Sequence, residues 1–173
     1  MSIHLILGGM FSGKTTELFR ILNRARCADY KTRLYKYEGD IRYSTALAAS
    51  HDGVKEDATG IRDAQDIEWE PNMYIGIDEG QFIHNLPEVA EFLANQGVHV
   101  VITALDSDWK RQGFTNTQAL IPISDRLTRL HAICHDCKAD ASFSKRIVVS
   151  EDQELIGGKE SYKAVCRLCF FKK

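Results

Sequence analysis

Short apolar runs alternate with amphipathic segments along the first hundred residues. The predicted strands are residues 2–7, 32–37, 73–78 and 99–104. The predicted helices between them are residues 14–28 and 86–95. Strands alternating with helices are typical of an open parallel sheet covered by helices, so the predicted fold class is α/β.

Two other regions have a different pattern. Residues 38–60 are polar and contain three glycines, which predicts a loop with little regular structure. After residue 132 no long helical period is found, and two cysteine pairs appear instead. We therefore expect an α/β domain over residues 1–132 and a smaller domain over residues 133–173.

The overall composition limits the possible partners. Hydrophobic residues make up 44% of the chain, charged residues 27%, and the formal net charge is −2. These values fit a soluble globular protein and argue against a constitutive nucleic-acid binder, which usually has a basic face. No apolar run approaches the roughly 18 residues of a membrane helix, and the N-terminus lacks the features of a signal peptide. We expect a cytoplasmic protein with no membrane or nucleic-acid partner.

One motif predicts nucleotide binding. Residues 8–15 have the sequence GGMFSGKT, which matches GxxxxGK[ST] and lies between a predicted strand and a predicted helix. In such a loop the backbone N–H groups and the helix N-terminus bind phosphates. Lys14 would reach the β and γ phosphates, and the Thr15 hydroxyl would bind Mg²⁺. The alternative is a glycine-rich turn that binds nothing, against which the flanking strand and helix argue.

Two adjacent acids follow the third predicted strand. The carboxyl edge of a parallel sheet is where ligands bind, and a phosphate-loop protein needs one acid there for Mg²⁺. Asp78 is the candidate. Glu79 could accept a proton from an alcohol that attacks a phosphate, or it could orient an attacking water.

The two cysteine pairs have the spacing of a metal site. Cys134 and Cys137 form one CxxC knuckle, Cys166 and Cys169 form another, and 28 residues separate them. Four thiolates in two such pairs favour a closed structural Zn²⁺ site. Disulfides or a redox CxxC are the alternatives, and a reducing cytosol weakens the first. His135 could replace a cysteine, but four cysteines already complete the site.

These features together give the chain a family resemblance. It resembles the small, zinc-containing class of thymidine kinases along its whole length. The runs that carry the resemblance are residues 7–18, 36–43, 75–82, 104–106, 134–137, 144–146, 156–158 and 165–173.

The resemblance implies a RecA-like phosphate-loop domain with a zinc ribbon that carries a lasso-like lid loop. It implies transfer of the γ-phosphate of ATP to the 5′-hydroxyl of thymidine, with Glu79 as the base and Thr15 and Asp78 at Mg²⁺. The implied ATP and phosphate residues are Gly8, Gly9, Met10, Phe11, Ser12, Gly13, Lys14, Thr15, Asp40, Arg42 and Gln81. The implied nucleoside residues are Met10, Leu105, Trp109, Phe114, Ser144, Gln153, Glu154, Leu155, Ile156, Gly157 and Tyr162. A homotetramer and feedback by thymidine triphosphate are also implied.

Three positions depart from the family pattern. Gly9 replaces a proline, Trp109 a phenylalanine, and Ser144 a threonine whose methyl group would face the 5-methyl of thymine. We therefore expect deoxyuridine to be a usable second substrate.

Two other functions compete with a nucleoside kinase. One is an ATPase whose zinc ribbon docks nucleic acid, which the acidic net charge disfavours. The other is a nucleotide sensor without turnover, and the presence of Glu79, a candidate base, argues against it.

Overall fold

The computed structural model describes residues 1–40, 47–49, 54–149, 152 and 157–172. The strands in these ranges are β1 (Ser2–Gly8), β2 (Thr32–Tyr37), β3 (Leu47–Ala49), β4 (Lys55–Asp57), β5 (Thr59–Ile61), β6 (Tyr74–Asp78), β7 (His99–Leu105), β8 (Arg126–Leu130), β9 (Ala132–Ile133), β10 (Asp140–Ala141), β11 (Phe143–Arg146) and β12 (Tyr162–Val165). The helices are α1 (Lys14–Cys27), α2 (Leu86–Asn95), α3 (Thr115–Ile123) and α4 (Arg167–Phe171). In the described part of the chain, no helix has both the length and the apolar character needed to cross a membrane.

The main sheet has six strands in the order β5-β2-β6-β7-β1-β8. Every pairing between neighbouring strands in it is parallel. The predicted parallel α/β sheet is therefore confirmed. Because the strands run in the same direction, the residues that follow β1, β6 and β7 lie at the same edge of the sheet.

Helices cover both faces of this sheet, as the sequence predicted. On β1, alternate residues point to opposite faces. Ile3 and Leu5 belong to a core that includes Leu86 of α2 and Leu120 of α3. Ile6 belongs to a second core, which includes residues of α1. The pleat of the strand thus fixes α1 on one face and α2 with α3 on the other.

The expectation of an irregular loop over residues 38–60 was wrong where the structure describes that segment. β3 and β4 pair antiparallel, and β5 pairs with β2 at the edge of the main sheet. Ala48 and Ala58 are buried in the core beneath α1. Each of these strands has only three residues, so no alternation of apolar and polar positions could develop to mark them in the sequence. Their stability comes from tertiary packing.

Strands β9 to β12 lie outside the main sheet, and we call them, with α4, the C-terminal unit. β9 pairs with β10 and β11 with β12, both antiparallel. A third core, distinct from those of the sheet, contains Ala132, Ala141, Val165 and two of the cysteines. The domain boundary at residue 132 stays a prediction, although β8 is the last strand of the large sheet and Ala132 already packs in the small core.

Gly76 in the middle of β6 has no room for a side chain. A Cβ there would lie 2.7 Å from Leu22 Cδ1 and 3.2 Å from the Cδ1 atoms of Leu18 and Leu34. Leu22 is completely buried, so it has little free space to move into. We expect Gly76→Ala to lower the free energy of unfolding by about 1–3 kcal/mol, because α1 must shift away from the sheet. Chemical denaturation measures this, and an unchanged midpoint would show that α1 is not packed tightly on β6.

Candidate active site and metal centre

The phosphate loop connects β1 to α1 and depends on two of its glycines. A Cβ on Gly8 would lie 2.6 Å from both the Leu130 carbonyl oxygen and Ser12 Oγ, so only glycine fits. Gly13 has φ 82°, in the left-handed region that favours glycine, and it is the N-cap of α1. The loop therefore leads directly into the N-terminus of α1, a helix of 14 residues. Such an N-terminus attracts anions.

Lys14 is held over this loop. Its Nζ donates to the Gly9 carbonyl oxygen at 3.0 Å, and Ser12 Oγ donates to the same oxygen at 2.9 Å. The residue is 8% exposed. Its ammonium group therefore lies within the loop, where it can neutralise the charge of a bound phosphate.

Asp78 ends β6 and is almost fully buried. It accepts hydrogen bonds from Thr15 Oγ1 at 3.0 Å, from the Glu79 N–H at 3.2 Å, and from Thr103 Oγ1. Burial, and then the charge of Glu79, raise the pKa of Asp78 to about 6. The pairing of Thr15 with Asp78 brings together the two side chains that the sequence predicted at Mg²⁺.

Glu79 leaves the strand in a strained backbone conformation, with φ 57°. Its Oε2 accepts from Gln81 Nε2 at 2.7 Å. Gln81 is buried, and its Oε1 accepts from the Leu105 N–H at 3.0 Å. Gln81, which the resemblance places among the ATP residues, thus fixes the Glu79 carboxylate relative to the end of β7.

A cavity opens beside Glu79, and we call it the central cavity. Nine residues implied by the sequence line it: Met10, Asp40, Glu79, Leu105, Trp109, Phe114, Ser144, Gly157 and Tyr162. They come from the phosphate loop, the ends of the sheet strands and the C-terminal unit. The fold therefore brings the described members of the predicted nucleoside set and the predicted base to one place.

Four further lining residues had no predicted role. They are Tyr37, Phe82, Ser107 and Asp108. Phe82 packs against both Tyr37 and Phe114, with ring centroids 5.2 and 5.5 Å apart. Phe82 and Tyr37 lie in runs that carry the family resemblance, which was the only sequence signal for them. The predicted residues Arg42 and 153–156 lie outside the described residues.

Ser144 has a contact that the sequence did not predict. It lines the central cavity, and its Oγ accepts from the backbone N–H of Met10 at 2.9 Å. A Cβ on Gly9 would lie 3.3 Å from the same Oγ. The side chain thus joins β11 of the C-terminal unit to the phosphate loop.

The four paired cysteines form one cluster. The Sγ atoms of Cys134, Cys137, Cys166 and Cys169 all lie within 4.8 Å of one another, and those of Cys137 and Cys166 are 3.6 Å apart. Four thiolates at about 2.3 Å from a tetrahedral zinc would have their sulfurs about 3.8 Å apart. The arrangement therefore fits the predicted zinc site, and all four cysteines are free of disulfides.

The thiols of this cluster differ in acidity. Burial raises the pKa of Cys134, but backbone N–H groups of Cys166, Cys137 and Asp136 outweigh it and bring the pKa to about 6. Burial and the neighbouring thiols raise the pKa of Cys169 to about 12. A metal ion would hold all four as thiolates, since coordination deprotonates a thiol.

Comparisons with known proteins agree along nearly the whole chain. A family model described as thymidine kinase matches residues 1–170. The thymidine kinase of Sheeppox virus (strain KS-1) is 46% identical over 171 residues, which cover 98% of this chain and 96% of the viral protein. The cytosolic thymidine kinase of Bos taurus is 41% identical over 178 residues, 99% of this chain and 72% of its own. The cytosolic thymidine kinase of Gallus gallus is 39% identical over 173 residues, which cover 99% of this chain and 77% of the chicken protein.

The cysteine cluster gives a prediction for metal content. We expect about one zinc ion per chain by elemental analysis, and Cys134→Ser should lose it, because a serine oxygen is a poor replacement for a thiolate. Since structural zinc contributes to folding free energy, on the order of 10 kcal/mol in isolated zinc peptides, the variant should also melt at a lower temperature. The matched control is Cys27→Ser, on the exposed side of α1, which should keep the metal. Full zinc content in the Cys134 variant would exclude the cluster as the metal site.

Proposed function

Because the chain belongs to the thymidine kinase family, we propose that it transfers the γ-phosphate of ATP to the 5′-hydroxyl of thymidine. The products are ADP and thymidine monophosphate. The observation that carries the proposal is the central cavity, in which Glu79 faces the same space as the residues implied for nucleoside binding. The cavity borders the phosphate loop through Met10, so donor and acceptor would meet beside Glu79.

The proposed roles at the phosphates follow from the loop. Backbone N–H groups of residues 8–15 and the N-terminus of α1 would bind the phosphate oxygens. Lys14 would exchange its bond to the Gly9 carbonyl for the β and γ phosphates. Thr15 and Asp78, already hydrogen-bonded to each other, would hold Mg²⁺. When bound, that ion neutralises charge on the phosphates.

Glu79 is the proposed general base. It takes the proton of the 5′-hydroxyl, the freed oxygen forms a bond to the γ-phosphorus, and the bond from that phosphorus to the leaving ADP oxygen breaks. The Gln81 side chain, bonded to Glu79 Oε2, would keep the carboxylate aimed at the hydroxyl. Asp78 is held at the end of β6 by its own three donors. The two neighbouring acids would thus have separate tasks.

The C-terminal unit is proposed to supply the base-binding side of the cavity. Ser144, Gly157 and Tyr162 line it, and residues 153–156 are proposed to join them as the lid. Zinc in the cysteine cluster would be structural, because four thiolates leave no open coordination position.

The proposal also includes a cytoplasmic homotetramer inhibited by thymidine triphosphate. Sedimentation tests the assembly, and a titration of the reaction with thymidine triphosphate tests the inhibition.

A product assay tests the proposed function directly. The protein would be incubated with Mg²⁺, ATP labelled at the γ-phosphate, and a panel of nucleosides. We expect label in thymidine monophosphate, slower labelling of deoxyuridine, and negligible labelling of purine nucleosides, whose larger bases we expect the cavity to exclude. Label found only in inorganic phosphate would instead indicate an ATPase.

Replacement of the proposed base gives a sharper prediction. Glu79→Gln keeps the size of the side chain and a hydrogen-bonding partner for Gln81 but removes the proton acceptor. ATP binding should survive, whereas kcat should fall by about 10²–10⁴-fold. Near-normal turnover in this variant would place the base elsewhere.

Ser144 gives a prediction on nucleoside choice. Ser144→Thr keeps the oxygen bonded to the Met10 N–H and adds one methyl group at the cavity wall. The ratio of kcat/KM for thymidine over deoxyuridine should rise, by about tenfold at most, because methyl-sized apolar contacts are worth little more.

The matched control is Ser144→Ala, which removes the oxygen without adding a methyl group. It should lower kcat/KM for both nucleosides to the same extent, since the phosphate loop loses its anchor. A ratio that is unchanged or lowered in Ser144→Thr would show that residue 144 does not face the 5-methyl group.

A further inference from the structure

Arg146 lies behind one wall of the central cavity, between two aromatic residues. Its guanidinium carbon is 4.9 Å from the centroid of the Trp109 ring, and its Nη2 donates to the Tyr162 hydroxyl at 2.6 Å. Trp109 follows β7, whereas Arg146 ends β11 and Tyr162 begins β12. Arg146 is only 9% exposed, so its contacts are made largely out of water and are correspondingly strong.

A backbone oxygen joins two of these residues. The carbonyl oxygen of Asp152 accepts from Arg146 Nη1 at 2.6 Å and from the indole Nε1 of Trp109 at 3.2 Å. The first bond is charge-assisted and therefore the stronger of the two. The second needs the indole N–H, which a phenylalanine at the same position would lack. The two bonds tie residue 152 to the end of β11 and to the loop that follows β7.

We propose that Arg146 is a positioning residue that holds the aromatic wall of the cavity closed on the nucleoside. We call Trp109, Arg146, Asp152 and Tyr162 the arginine latch. Trp109 and Tyr162 are among the described residues that line the cavity, whereas Arg146 is not, so Arg146 acts through them. The inference rests on the proposed function, because it takes the nucleoside to be the occupant of this cavity.

The latch predicts a specific pattern of kinetic change. Holding the wall closed lowers the rate at which the nucleoside dissociates. The phosphate loop and Glu79 are held by other contacts, so ATP binding should not depend on the wall. Arg146→Met, which keeps the length but removes the charge and its donors, should raise the KM for thymidine by about 10- to 100-fold. The KM for ATP should not change. Trp109→Phe, which keeps a ring but removes the N–H, should raise the thymidine KM by about fivefold.

Lys110 offers a matched control. Its Nζ lies 4.8 Å from the centroid of the same Trp109 ring, whereas the two hydrogen bonds of the latch to the Asp152 oxygen come from Arg146 and Trp109. Lys110→Met therefore removes a cation from the ring without opening the latch. This variant should keep the wild-type KM for thymidine.

Fluorescence gives a readout that does not depend on activity. The chain has two tryptophans, and Trp69 is remote from the cavity, packed on Phe92. In a Trp69→Phe background, Trp109 is the only tryptophan. Quenching of its fluorescence by acrylamide should increase when Arg146→Met is added, because the bonds of Arg146 to Asp152 and Tyr162 no longer hold the wall in place around the ring. Quenching should stay unchanged with Lys110→Met, which leaves those bonds intact.

The two measurements together decide the proposal. Increased quenching with a raised thymidine KM and an unchanged ATP KM supports the latch. Unchanged quenching, an unchanged thymidine KM, or an equal rise in both KM values overturns it. If Arg146→Met does not fold, Arg146→Lys decides in the same way, because lysine keeps the charge but its single nitrogen does not reproduce the planar fork that reaches Asp152 with one end and Tyr162 with the other. If the wild-type protein does not phosphorylate thymidine, the proposed function fails, and the quenching comparison alone still shows whether Arg146 covers Trp109.

Discussion

Three hydrogen-bond donors converge on the buried carboxylate of Asp78, and they set where the phosphate loop and Glu79 lie relative to each other. The donors are Thr15 of α1, Thr103 of β7 and the backbone of Glu79. Because the group is buried beside a second acid, its pKa is raised to about 6. A divalent cation bound between Thr15 and Asp78 would favour the ionised form and lower that pKa. The same carboxylate therefore positions its hydrogen-bond donors at the edge of the sheet. It also favours the binding of a cation there, because a cation stabilises its ionised form.

The second constraint acts from the C-terminal unit. Its core contains Cys134 and Cys169, and it packs β11 and β12 against each other. These two strands carry Ser144, which bonds the phosphate loop, and Tyr162, which lines the cavity. A metal held by the cysteines would have no chemical part in phosphate transfer. It would still support the side of the central cavity that Ser144 and Tyr162 line, because the strand pair that carries these residues packs on the cysteine core.

Much of this arrangement could be predicted from the sequence, and the failures have physical causes. The phosphate loop, the six long elements before residue 105 and the cysteine pairs follow from local patterns, since each depends on residues close in the chain. β3, β4 and β5 were not predicted, because a strand of three residues is too short to show an alternation of apolar and polar positions. The roles of Gln81 and Arg146 could not be predicted either. Both depend on partners far away in the sequence, at Leu105 and Trp109, which only the fold brings near.

The central claim is that two adjacent acids divide the work, with Asp78 at the metal and Glu79 at the hydroxyl. Electron paramagnetic resonance of Mn²⁺, used in place of Mg²⁺ with ATP, separates these tasks without turnover. Asp78→Asn should weaken Mn²⁺ binding to the ATP complex by about tenfold or more, since a charged ligand becomes neutral. Glu79→Gln should leave that binding as in the wild type. Equal weakening in the two variants would contradict the division and make Glu79 a metal ligand.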